Sequence, residues 1–462
     1  MKKNIIKYQF SLKSQDELDK LTHAELLKYV KELQNNSIQE KPPKNSNNSS
    51  ISPSSEIVNP NKKKNQSLRE KSDKKVGGQK GRVGTTLKQT DTPDKIVAVE
   101  FNITKCKKCG VDISSVVASL QERRQVVDME LSSIQKKITE YQSFSKECPS
   151  CGYNNHDNSF AASVTPNISY GVNIIAMVSY LSVSQYMSNK RVASLLSNLF
   201  NITISEGSIT NMLAKASNNS QSEIQKIKKL LESSKILGID ETGCKVDGSR
   251  YWHWTFQDTK NTLIVADKSR GAKVITQTFT NGFKDSCVVH DNFSSYSKLN
   301  AKSEQLCLAH KLRDLNYAID CDSTKLAKDI KSLLKEAMID HKESLTLNQR
   351  ENLKEQYDKT LQHLLSMPTI DKSETHKQIN SLKKAKNKIF TFLLDENIPP
   401  DNNASERAIR NIKVKQKVSG QFKSLDGAKN YANIRSIIDT SRKRGLNEFE
   451  SLQQVIMGNS IF

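Results

Sequence analysis

The stretch Lys235-Ile-Leu-Gly-Ile-Asp240 decides how this chain is read, because it is a short apolar run ending on an acid, the pattern of a buried strand. Strand-like segments follow at 249–257 and 262–267, and brief polar turns between them predict an antiparallel meander. Residues 271–279 pattern as a helix. Then Cys287-Val-Val-His290-Asp291 repeats the opening theme of a buried strand terminated by Asp. Two strands that each end on an acid place two carboxylates at one edge of a sheet. A third acid lies far down the chain, where Pro399-Pro400-Asp401-Asn402-Asn403 ends one element and starts a helix. In that helix Asn403, Glu406 and Arg410 share a polar face, while Ala404, Ala408 and Ile412 can face the core.

The chemistry gives a reason to group Asp240, Asp291 and Glu406. Phosphodiester cleavage needs hard cations to activate a nucleophile and to stabilise the departing oxygen, and two magnesium or manganese ions about 4 Å apart do both. Three carboxylates can hold two such ions. The ordinary alternative for each acid is a solvated surface position.

Composition points first to a polyanionic partner, with a basic surface kept for solubility as the alternative. The 462 residues carry 71 Lys and Arg against 50 Asp and Glu, a net charge of +21, while the charged fraction of 26% is ordinary. Such a length implies several domains, and 35% hydrophobic residues is low enough that part of the chain should not fold alone. Neither a secretory leader nor a membrane span is legible, so a cytoplasmic protein with no membrane association is expected, its eight cysteines reduced or metal-bound.

Working outward, residues 12–34 space Leu18, Leu21, Leu26, Leu27, Val30 and Leu33 as an amphipathic helix or short coiled coil, suited to self-association or to docking on another domain. Residues 35–98 read as a basic disordered linker, with eleven Lys or Arg against three acids between Lys41 and Arg82. Within it Gly77-Gly78-Gln79-Lys80-Gly81-Arg82 either is a solvated run or brings Lys80 and Arg82 close to DNA. Between residues 99 and 160, Cys106-Lys-Lys-Cys109-Gly and Cys148-Pro-Ser-Cys151-Gly form two knuckles able to close one structural zinc site in a zinc ribbon. Over 166–230 three helical patterns resemble a helix-turn-helix, although any small helical bundle has the same periodicity. Ser205 caps its third helix, which turns Ser208, Thr210, Asn211 and Lys215 outward as DNA contacts.

Taken together, Gly238-Ile239-Asp240-Glu241-Thr242, Val289-His290-Asp291, Cys307-Leu-Ala-His310-Lys-Leu-Arg313 and Asn402-Asn403-Ala404-Ser405-Glu406-Arg407-Ala408-Ile409-Arg410 resemble, in order, the hallmark segments of transposases of insertion-sequence family 66. The glycine-rich run, the knuckles and the helix-turn-helix are similar to that family's preceding modules. The resemblance implies a multidomain α+β protein whose RNase-H-like mixed α/β catalytic domain spans 235–445, with a helical insertion at about 323–394 and a tail at 446–462. It further implies an acidic triad of Asp240, Asp291 and Glu406 that cuts the 3′ ends of terminal inverted repeats and joins them to target DNA. Homo-oligomers on paired DNA ends and accessory proteins of the same element are implied as partners. Beyond Arg410 the sequence departs from the family pattern, yet Arg407, Arg410, Lys413, Lys415 and Lys417 keep it basic and are expected at phosphates. For Arg442 to Arg444 the end of a helix dipole is the more natural role.

Three other readings fit parts of the sequence. Cys287-x-x-His290 and Cys307-x-x-His310 could suggest a second zinc, but in strands residues three apart point to opposite faces. His310-x-x-Arg313 also suits a metal-free tyrosine recombinase with Tyr317 or Tyr357 as nucleophile, and a non-catalytic DNA-binding regulator is a third reading. By alternation, Glu241 should point away from the face that Asp240 uses.

Overall fold

A computed structural model describes residues 170–462 continuously and, before them, 6–8, 15–39 and scattered residues between 41 and 156. Two compact units result, one formed by residues 1–66 and 139–462, the other by 67–138. In the first unit β1 (Ile6–Tyr8) pairs antiparallel with β2 (Ser37–Gln39), and α1 (Gln15–Leu18) and α2 (His23–Asn36) lie between them in sequence. Leu26, Leu27 and Val30 of α2 are exposed. A second hairpin joins β3 (Ser145–Glu147) to β4 (Asn154–His156).

The described part of the stretch read as linker is anchored in places. Lys41 pairs with Glu374, the Lys44 ammonium lies 5.0 Å from the Tyr317 ring centre, and Asn48 Nδ2 donates to Asp320 Oδ2 at 3.1 Å.

From Gly171 onward come α3 (Val172–Ser179), a π-helical turn (Tyr180–Ser184), α4 (Asn189–Phe200), α5 (Glu206–Asn219) and α6 (Gln221–Glu232). Ser205 does cap α5, accepting the Ser208 N–H at 3.0 Å. The sheet follows, with β5 (Ile236–Val246), β6 (Ser249–Gln257), β7 (Thr262–Asp267), α7 (Lys273–Thr278), β8 (Phe283–His290) and β9 (Ala301–Leu306). Its order is β7-β6-β5-β8-β9, antiparallel on the first side and parallel on the second. Asp247 and Gly248 take positive φ, 44° and 72°, and so supply the tight turn that β5 and β6 need. The protein is thus mixed α/β, a five-stranded mixed sheet among many helices.

A helical segment follows, of α8 (Leu308–Asp322), α9 (Lys325–Asp340), α10 (Leu347–Ser366) and α11 (Glu374–Ala385), then short 3-10 turns; α8 precedes the residues 323–394 read as an insertion. It builds its own core from residues such as Leu334, Leu361, Leu382 and Phe390. The chain closes with α12 (Asn403–Ser419), α13 (Leu425–Lys443) and α14 (Glu448–Met457). The last of these corrects the reading of 446–462 as a plain tail: Asn447 caps it, and Leu452, Val455 and Ile456 are buried. Helices α3 to α6, the sheet and α12 to α14 share a single apolar core.

Helix α13 also shields the outer strand of the sheet. The N–H groups of Thr262 and Ile264 on β7 donate to Thr440 Oγ1 at 3.1 Å and Ser436 Oγ at 2.8 Å, which completes an otherwise unpaired edge. Its Arg435 is 0% exposed and grips Asp439 with two nitrogens, at 2.6 and 3.0 Å.

Candidate active site

Strand β5 carries Asp240 through its middle, not at its end. The sequence reading stopped this strand at Asp240, but it runs on to Val246 because Thr242, Cys244 and Val246 continue the buried alternation. Gly238 is paired with Val289 on the parallel neighbour β8, so two residues further along, Asp240 lies beside Asp291 at the point where β8 ends. The Asp240 carboxyl is held well above the ordinary carboxylate range, first by desolvation and then by the negative charges of Glu241, Asp291 and Glu406, against one N–H from Glu241 at 2.9 Å.

Glu406 arrives from α12, and a close fit sets its position. A Cβ on Gly238 would lie 2.6 Å from both Ser405 Oγ and Gln257 Nε2, and 2.8 Å from Asn402 Oδ1, so glycine admits the helix against β5. Asn402 Nδ2 donates to the Ile239 carbonyl at 2.7 Å, Ser405 Oγ donates to Asn402 Oδ1 at 2.7 Å, and Gln257 Nε2 donates to Ser405 Oγ at 3.2 Å. One turn on, Glu406 Oε1 is buried without a hydrogen bond. Around it stand His310 Nε2 at 3.8 Å and Arg313 Nη1 at 3.7 Å, while Arg410 lies 4.0 Å from the other carboxylate oxygen.

The other face of β5 is settled differently. Glu241 points away from Asp240, as alternation requires, and its carboxylate binds Arg270 at 2.8 Å and accepts the Tyr296 hydroxyl. Burial still lifts its pKa, while the Tyr296 and Arg270 contacts lower it.

The strand expected through Cys307 and His310 is replaced by the end of β9 and a helix. Cys307 and His310 do not lie in a strand: β9 ends at Leu306, Cys307 caps α8, and His310 occupies the first turn on the same face. Among the described residues, Cys307, His310 and Glu406 form the one trio of possible ligands whose donor atoms all lie within 4.8 Å of one another. The oxygens of Asp240, Asp291 and Glu406 are therefore spread more widely. Burial pushes the Cys307 thiol up to about 12, partly offset by N–H groups of Asn402 and His310. Cys287 and His290 do lie in β8, where His290 Nε2 meets Glu304 at 2.9 Å.

Of the expected DNA contacts, Arg407, Arg410, Lys413 and Lys417 are exposed on α12. Lys415 is not among them. It is buried, its ammonium donates to the Ser182 and Met187 carbonyls at 3.1 Å each, and desolvation lowers its pKa to about 8, so it belongs to the core and not to a phosphate-facing surface. Thr210 and Asn211 are exposed on α5, while Ser208 and Lys215 are half-buried. Lys80, Arg82 and Cys148 lie outside the described residues. Cys106 and Cys109 sit in a tight turn, where Gly110 at φ 75° returns its N–H to the Cys106 carbonyl at 2.9 Å. N–H groups of Cys109 and Lys108 there lower the Cys106 pKa, favouring a thiolate. Cys151 is exposed. Arg442, Lys443 and Arg444 are committed to Glu448, Gln257 and Asn261, at 2.6, 2.6 and 2.7 Å. Tyr317 is buried, and the Tyr357 hydroxyl donates to Asp340 at 2.5 Å. No described helix is long and apolar enough to cross a membrane.

The site therefore belongs to a mixed α/β protein in which two strand acids, Asp240 and Asp291, lie near a helix acid, Glu406, that has Arg313 and Arg410 beside it. Residues 167–430 match the model of the family described as "Transposase IS66 family", and the chain belongs to that family. No curated protein matches the chain. Among solved structures it is similar to a Mos1 transposase paired-end complex with left transposon end, at 12% identity, over 52% of this chain and 82% of that one, with a TM-score of 0.14.

Proposed function

We propose that the chain is an acidic-triad DNA transposase that binds terminal inverted repeats, cuts their 3′ ends and joins them to target DNA. The observation that carries this reading is the crowding of Asp240, Asp291 and Glu406. The Asp240 carboxyl is lifted by burial and by the charges of Glu241, Asp291 and Glu406, and Glu406 keeps a buried oxygen with no hydrogen bond although His310, Arg313 and Arg410 stand within 4.0 Å of its carboxylate. Divalent cations would relieve the repulsion around Asp240. The strand order, with three antiparallel strands followed by two parallel ones, supports an RNase-H-like catalytic domain.

Asp240, Asp291 and Glu406 would hold two Mg²⁺ or Mn²⁺, which when bound make water a better nucleophile and offset charge on the departing oxygen. Water attacks phosphorus at the element's end. A phosphorus–oxygen bond forms as the bond to the 3′ oxygen breaks, and that oxygen leaves as a hydroxyl. The hydroxyl then attacks a target phosphate and displaces a target 3′ oxygen. Each bond formed replaces one broken, so the chain needs no covalent intermediate. Its own residues orient the strands: Arg407, Arg410, Lys413 and Lys417 offer exposed cations along the helix that carries Glu406.

Further proposals rest on sequence. The two knuckles, Cys106 with Cys109 and Cys148 with Cys151, would hold one structural Zn²⁺. Helices α4 and α5 would serve as a helix-turn-helix, α2 would give a coiled-coil contact, and two or more copies with accessory proteins would pair the DNA ends.

The test is direct. Full-length protein with terminal-repeat DNA and Mg²⁺ should nick or join strands, and Asp240→Asn, Asp291→Asn or Glu406→Gln should abolish this while DNA binding survives. Full activity in EDTA, or in all three variants, refutes the proposal.

A further inference from the structure

We propose that α8 supplies two substrate-contacting residues outside the triad, with Arg313, assisted by His310, binding the scissile phosphate. This rests on the transposase reading above and extends the site to a segment that the acidic residues do not define.

The first turn of α8 is fixed between the two later acids. The Cys307 N–H donates to the His290 carbonyl at 2.8 Å, next to Asp291, and the Leu308 N–H donates to the Pro400 carbonyl at 2.9 Å. The Asn402 N–H reaches Cys307 Sγ at 3.1 Å, one turn before Glu406. Three- and six-residue steps from Cys307 then place His310 and Arg313 on one face, while Leu308, Leu312 and Leu315 bury the other face in the insertion core.

The donors on that face lie close to Glu406 without hydrogen-bonding it. The Arg313 and His310 side chains are 17% and 21% exposed, so both have left most of their water. Their separations of 3.7 and 3.8 Å from Glu406 Oε1 are too long for hydrogen bonds, and among the described residues the Arg313 guanidinium makes none. His310 Nδ1 is buried without a partner, which leaves Nε2 as the ring nitrogen that faces the carboxylates. An arginine that has lost most of its water and has only a loose ion pair with Glu406 gains from a second anion that completes its planar fork of donors. Arg410 offers the same charge from α12 but is 73% exposed and solvated. The anion cannot be Glu406 itself once that carboxylate serves a divalent cation, and a phosphodiester oxygen matches the fork.

Two readouts test this with full-length protein. The first is affinity for terminal-repeat DNA in Ca²⁺, using intact DNA and DNA with a neutral methylphosphonate at the cleavage position. Native protein should prefer the intact strand by about tenfold, and Arg313→Ala should lose that preference while its affinity for the modified strand stays unchanged. The second is single-turnover cleavage in Mg²⁺, where Arg313→Ala should fall by about a hundredfold, Arg313→Lys should recover part of the loss, and His310→Ala should fall by about tenfold. An Arg313→Ala protein that still discriminates the two strands, or cleaves within threefold of the native rate, overturns the proposal. Asp240→Asn run alongside separates the two readings. If it also cleaves, the acidic-triad reading fails; if it is dead while Arg313→Ala is unaffected, the phosphate contact alone fails.

Discussion

Asp240 and Glu241 are neighbours on one strand, yet they occupy opposite electrostatic worlds. Glu241 is nearly sealed, its side chain 1% exposed, and has an arginine and a tyrosine hydroxyl as partners. Asp240 faces other acids and has a single N–H for company. The difference teaches how to separate a structural carboxylate from a functional one. A carboxylate that folding needs is satisfied by the fold, whereas one that awaits a ligand is left in deficit.

The sharpest way to break this comparison is to remove each charge in turn. Asp240→Asn should lower strand cleavage by at least about 10³-fold in a single-turnover assay while leaving folding intact. Glu241→Gln should instead cost about 1–3 kcal/mol of stability by denaturant titration, because Arg270 loses its counter-charge and either Arg270 or Tyr296 meets an amide NH2 in place of an acceptor, with a much smaller loss of rate. If both variants failed alike, the division between the two faces would be lost.

A packing change probes the link between β5 and α12. Gly238→Ala forces a methyl into Ser405 and Gln257 at 2.6 Å, which should cost about 1–3 kcal/mol and displace Glu406 enough to reduce cleavage as well.

Acidity offers a gentler test. Because the Asp240 carboxyl is raised in the folded chain, the metal-free fold binds more protons than the unfolded chain above the ordinary Asp range. Its stability from this group is therefore full at lower pH and declines as pH rises toward the raised value. Thermal melting in EDTA should show that decline, and Asp240→Asn should remove it; Mg²⁺ should raise the melting temperature more at pH 8 than at pH 5. The smallest effect belongs to the sheet edge, where Ser436→Ala should cost about 1 kcal/mol by leaving the Ile264 N–H unpaired.

Much of this architecture could be read from residue order. Strand-like runs before Asp240 and Asp291, the proline-bounded start of the Glu406 helix and the helical insertion all follow from local pattern. What escaped did so for identifiable reasons. Leu306-Cys-Leu-Ala is too short an apolar run to separate the end of a strand from the first turn of a helix, so His310 was assigned to the wrong element. Lys415 was grouped with its basic neighbours, although Ser405, Ala408, Ile412 and Lys415 form one buried stripe at helical spacing. That signal was present but was masked by charge. Asp240, Asp291 and Glu406 were grouped by their chemistry and the family resemblance, but the close approach of α12 to β5 that Gly238 permits had no local signature.

The hydroxyls of Ser436 and Thr440 do more than tidy one strand. On the opposite border, Thr391 Oγ1 donates to the Glu304 carbonyl at 2.8 Å and Gln305 Nε2 to the Ile389 carbonyl at 3.0 Å, so β9 is also covered where it borders the insertion. With both margins occupied, the sheet is a poor template for growth by strand addition. On the proposed reading, copies that gather on a pair of DNA ends would recognise one another through side-chain surfaces, whose complementarity can be made selective, rather than through backbone pairing, which would accept almost any partner.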